Sequence, residues 1–156
     1  MRKSLLIIII MLISNTILAQ NGGRVMNKSY KSQFGVSETM MRTEQILKTM
    51  DIPVFAKFDH GKNAEEAGLQ LLPNQVIVFG SPKVGTVLMQ ENPAISIELP
   101  LKISVWEDKD RNVWLSIPLI KQIAASYGME DHPVIAKMQE LLEKIASQSV
   151  NAADKR

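Results

Sequence analysis

The sequence predicts an α+β fold: a curved, mainly antiparallel sheet with helices on one face, in the order strand, helix, several mainly antiparallel strands, helix, with an extra C-terminal helix. Three observations predict it. Ile95, Ile97, Leu99, Leu101, Ile103 and Val105 alternate with Ser96, Glu98, Lys102, Ser104 and Trp106, the pattern of strand with one sheltered face. Val113, Leu115 and Ile117 repeat that alternation across a short acidic loop. Segments of helical spacing, bounded by capping residues and glycine stops, lie before, between and after these runs.

Composition narrows the class. The chain has 156 residues, 18 of them Lys or Arg and 16 Asp or Glu. The first 19 residues contain Arg2 and Lys3 and no acid, so the remaining 137 carry no net formal charge. Neutrality disfavours a mainly electrostatic nucleic-acid or polybasic membrane binder. No cysteine is present, which excludes disulfides, thiolate metal sites and thiol nucleophiles.

The elements follow in order. Residues 1–19 have a basic start, an apolar run from Leu5 to Ile13 and a small residue at Ala19. This is the layout of a cleavable export signal, too short for a comfortable membrane span, so a periplasmic or secreted location is expected with no stable anchor after cleavage. Residues 20–28 are polar and glycine-containing, a leader to a single α+β domain over 29–148, with a fraying tail over 149–156. Ser29 to Gly35 is a first strand. Ser37 can cap a helix bearing Met40, Thr43, Leu47 and Met50 on one face.

Pro53 introduces an extended segment, Val54 to His60. Asn63 and Glu66 have capping-box spacing, and Gly68 suits a left-handed helix end. Gln75 to Phe79 is a buried strand. Ser81 and Pro82 are a helix start, with a hydroxyl cap and a proline whose missing amide costs nothing there. Pro100 bends or divides the stretch from Ile95 to Asp108. If the apolar faces of the next hairpin share one side, paired residues have numbers of equal parity, and Trp106 can lie opposite Trp114. Pro118 to Tyr127 is helical and stops at Gly128. Asp131 can cap a last helix with Val134, Met138, Leu141, Leu142 and Ile145 on its apolar stripe.

Three stretches together resemble one bacterial family, the domain of unknown function 302. They are Phe58-Asp59-His60 with Ala64 and Gly68; Phe79 to Thr86 followed by Leu88-Met89; and Leu99 to Lys102 followed by Val105 to Asp108. The matched region is about residues 52–118. The resemblance implies a fold like that of the TATA-binding protein, in the order strand, helix, four strands, helix (β-α-β4-α), and implies no activity. Ser81 stands where asparagine is usual, and Ile117 where tyrosine is common.

Candidate chemistry is sparse. Asp59 and His60 form the one pair of catalytic character, a base or sensor site if the chain bends there; otherwise both serve the turn. Gly80 to Thr86 superficially resembles a phosphate loop, but Thr86 directly follows Gly85 and Pro82 removes an amide. Lys83 and Thr86 remain ligand-binding candidates beside that helix start. Asp108, Asp110 and Asn112 open like a calcium loop, yet Val113 and Leu119 occupy its glycine and glutamate positions. No metal or other cofactor is predicted. Trp106 and Trp114 on the polar face require cover by the C-terminal helices or leader, or else form a homodimer interface or an apolar ligand patch. The expected function is therefore a non-enzymatic binding or interaction module for a small ligand or a protein, with no nucleic acid. A small-molecule sensor or enzyme using His60 and Asp59 is the alternative.

Overall fold

A computed structural model describes residues 26–152. The expected export signal (1–19) and most of the leader (20–28) lie outside the described residues. The elements are β1 (Asn27–Lys31), α1 (Val36–Thr49), β2 (Val54–Asp59), α2 (His60–Glu66), β3 (Asn74–Phe79), α3 (Pro82–Glu91), β4 (Leu101–Glu107), β5 (Val113–Pro118), α4 (Ile120–Ala124) and α5 (Pro133–Val150). Short 3₁₀ helices cover Pro93–Glu98 and Ala125–Tyr127. The five strands form an open antiparallel sheet in the order β1-β5-β4-β3-β2.

Strand alternation sends one set of side chains to the core. Ile77, Phe79, Leu101, Ile103, Val105, Leu115 and Ile117 are buried on a single face. Helices α1 and α5 lie across it, contributing Val36, Met40 and Leu47, and Ile135, Leu142 and Ile145. The opposite face carries Phe58, Val76, Val78, Lys102, Ser104, Trp106, Trp114 and Ser116.

Several boundaries differ from the sequence expectation. The alternation from Ile95 does not make strand until Leu101. Pro93 and the Asn92 carboxamide, which accepts the Ala94 amide at 3.1 Å, start a 3₁₀ helix instead. With about three residues per turn, positions two apart no longer share a side. Ile95 is fully buried while Ile97 is 74% exposed.

Three caps also move. Helix α1 starts after Gly35 rather than at Ser37, and Asp59 rather than Asn63 caps α2. His132 rather than Asp131 caps α5, its Nδ1 accepting the Val134 amide at 3.1 Å. Gly68 and Gly128 are left-handed, as their positions after α2 and α4 require. Secondary structure begins earlier and ends later than expected among the described residues. Asn27 already pairs with Pro118, and Ser149 and Val150 are buried on α5. Helix α5 is held by Arg42 of α1, which donates to the carbonyls of Gln148, Ser149 and Asn151. The Thr43 hydroxyl donates to Ser149 Oγ at 2.9 Å.

Candidate functional site

The residues with the most conspicuous chemistry serve the fold. Asp59 ends β2 and caps α2. Its Oδ1 accepts the Lys62 amide and its Oδ2 accepts Gln75 Nε2, both at 2.9 Å. The Lys62 amide, assisted by Gln75, holds its carboxyl below the usual aspartate range. His60 is exposed, and its ring stacks on Phe58 with centroids 6.3 Å apart. Both Asp59 oxygens are thus engaged by Lys62 and Gln75.

Trp106 and Trp114 pair across β4 and β5, a register that equal parity allows, with ring centroids 6.3 Å apart. Their polar edges are internally satisfied. Trp106 Nε1 donates to Ser116 Oγ at 3.0 Å, and that oxygen lies 2.8 Å from Ser29 Oγ. Trp114 Nε1 donates to Asp108 Oδ2 at 2.8 Å. That indole, joined by Asn112 and the Asp110 amide, keeps the Asp108 carboxyl below its ordinary range. Asp108 therefore organises the hairpin turn: its Oδ1 accepts the amides of Asp110 and Asn112. Helices α1 and α5 occupy the other face, so the C-terminal helices are not the cover over these tryptophans.

Helix α3, the following 3₁₀ helix and the N-terminal half of α5 enclose a different feature. At the end of the sheet beside Phe79 and Leu101 they leave a cavity of about 350 Å³. Its walls include Gly80, Ser81, Pro82, Val84, Gly85 and Met89 from the β3–α3 segment. Ser96, Leu99 and Pro100 form a second wall; Met138 and Leu141 of α5 and Phe55 of β2 close the remainder.

Local chemistry positions each wall. Pro82 fixes the first turn of α3, and the Gly80 amide donates to the Pro53 carbonyl at 3.1 Å, joining that turn to β2. Asn92 Nδ2 donates to the Tyr127 carbonyl, and the Tyr127 hydroxyl donates to Glu98 at 2.8 Å. His132 Nε2 lies 3.0 Å from Glu91. These contacts fasten α3 and the 3₁₀ helix to the α4–α5 region.

No charged residue lines the cavity, and Ser81 and Ser96 are its polar side chains. The Ser81 hydroxyl makes no capping bond to α3, contrary to the capping role expected for it. A Cβ at Gly85 would meet Leu99 Cδ1 at 3.5 Å, ordinary contact, so absence of a side chain there leaves room rather than relieving a clash. Lys83 and Thr86 are exposed on α3 and lie outside the cavity wall. Among the described residues no cluster of three or more His, Asp or Glu could hold a metal ion.

The sequence argument missed this site because its walls are Gly, Pro, Ser and aliphatic residues without intrinsic reactivity. One signal was available. Two of the three stretches that carry the family resemblance, Phe79 to Thr86 and Leu99 to Lys102, converge on its walls.

Comparison with known proteins gives three results. The chain is 44% identical over 87 residues to the fluoride-specific ion channel FluC 1 of Brucella suis biovar 1, covering 56% of this chain and 34% of that protein. FluC 1 of Brucella abortus biovar 1 and FluC 2 of Brucella melitensis biotype 1 match at the same identity, with 32% of each covered. The chain thus spans about a third of the length of these curated relatives. Among the described residues no helix is long and apolar enough to cross a membrane. The crystal structure of an uncharacterized conserved protein DUF302 from Bacillus stearothermophilus superposes with a TM-score of 0.69 at 20% identity, covering 80% of this chain and 98% of that one. The model of the domain of unknown function DUF302 matches residues 28–145, wider than the region the sequence motifs marked. A fold common to this chain and the Bacillus protein, and a family match over most of the described residues, make the chain a member of the DUF302 family.

Proposed function

We propose that this protein is a non-enzymatic binding module that takes a small molecule into the cavity between α3, the 3₁₀ helix and α5. One observation carries the reading: a cavity of about 350 Å³ walled almost entirely by apolar side chains, at the lower end of the usual ~300–1,000 Å³ for small-molecule sites. The absence of charge and of any general acid or base on its walls suits binding rather than turnover. Phe55 and Val84, at the mouth, are 51% and 39% exposed, an apolar rim that a ligand would cover.

Titration with the uncharged fluorophore N-phenyl-1-naphthylamine tests the reading. The wild-type protein should bind it saturably with one site. Gly85→Leu, which fills the cavity and removes a helix-interior glycine, should weaken binding about tenfold or more while Tm rises. Leu141→Phe provides a second filling variant from the opposite wall. Failure of the wild type to bind, or undiminished affinity in both folded variants, would overturn the proposal.

A further inference from the structure

We infer that the ligand is an uncharged molecule with an apolar body and one hydroxyl-type polar group, and that Ser81 is the residue that recognises that group. The inference rests on the binding reading above and specifies its chemical class.

The charge state follows from the wall. A buried ion needs an opposite charge or several hydrogen bonds, because desolvation otherwise outweighs what binding returns. The cavity offers neither: Lys83 is turned to solvent, and no acidic or basic side chain lines the wall. An ammonium or carboxylate group would have to remain at the mouth, withdrawing the apolar body from the contacts that stabilise it.

The polar group follows from Ser81. A serine at a helix N-cap ordinarily spends its oxygen on the first free amides. Here the hydroxyl leaves α3 uncapped, and Ser81 is one of the residues that line the cavity, at the junction of β3 and α3. A hydroxyl both donates and accepts, so it matches an alcohol or a neutral carbonyl without demanding charge. Gly80 and Gly85 line the same wall and carry no side chain of their own. Met89 and Met138 in the same wall are unbranched and adaptable, suiting a flexible aliphatic body.

The test displaces N-phenyl-1-naphthylamine with four eight-carbon competitors: 1-octanol, 1-chlorooctane, octanoate and octylammonium. In the wild type 1-octanol should compete best, with both ions weaker by about tenfold or more. Ser81→Ala should weaken 1-octanol about fivefold, leave 1-chlorooctane unchanged, and leave Tm unchanged because no cap is lost. Equal competition by octanoate or octylammonium would overturn the uncharged class. A Ser81→Ala protein that still prefers 1-octanol by the wild-type ratio would overturn the role of Ser81. Either result leaves fluorophore binding itself intact, so the binding reading fails only if the fluorophore never binds.

Discussion

The tryptophan-bearing face of the sheet and the cavity at its end are both rich in apolar surface, but they differ in what their atoms already do. On that face Trp106 and Trp114 stack, and both indole N–H groups donate to the protein's own oxygens. In the cavity the walls face one another across empty space, and the Ser81 oxygen is free of the helix it precedes. Large aromatic residues attract attention in a sequence, yet here they brace a hairpin. Glycine, proline and serine attract none, and they shape the space that can receive a ligand. A side chain whose bonding capacity is spent internally is a weaker candidate for recognition than a modest one left unspent.

The sharpest way to break this contrast is to truncate the aromatics. Trp106→Ala should destabilise the protein by about 2 kcal/mol, less than for a fully buried tryptophan because the residue is partly exposed, and should leave fluorophore affinity unchanged. Denaturant unfolding and the binding titration, run on the same sample, check both halves; lost affinity in a folded variant would erase the distinction. Asp59→Ala is the next largest effect. Loss of the α2 cap should cost about 1 kcal/mol, with Asp59→Asn retaining most of it, and neither should alter binding.

The smallest effect is a pH dependence. Asp59 and Asp108 both titrate lower in the folded protein than in the unfolded chain. An unfolded aspartate takes up its proton near pH ~3.9, so the folded state gains stability above that value and loses it as pH falls through the lower folded values. Unfolding curves between pH 5 and pH 2 (about two units around that value) should show a steepening loss. Asp108→Asn should flatten part of it and abolish the accompanying change in tryptophan fluorescence, because the carboxylate contacts the Trp114 indole.

Much of the fold was legible in the sequence because it depends on patterns of period two. Parity allowed Trp106 to lie opposite Trp114, as it does, and Gln75 to Phe79 lies within β3. The stretch from Ile95 to Leu99 misled for the same reason: alternation over five residues also fits a 3₁₀ helix that buries Ile95 and exposes Ile97, and proline at its start decides the matter. Caps were misplaced where two polar residues compete, as at Asp131 and His132, since the winner depends on the angle at which the chain enters the helix. The site was least legible. Its walls come from β2, α3, the 3₁₀ helix and α5, so no local run of residues describes it.

Arg42 gives the grip on the end of α5 a consequence for biosynthesis. Its partners Gln148, Ser149 and Asn151 lie more than a hundred positions downstream, with Thr43 bonded to the same turn. During translation α1 and the strands, β5 (Val113–Pro118) last, precede α5 (Pro133–Val150), so Leu115 and Ile117 lack the cover of α5 until that helix follows them out of the ribosome. A premature stop ahead of Leu142 would leave that hydrophobic surface permanently uncovered, and the shortened product would be a substrate for chaperones and proteases rather than a smaller working version of the protein.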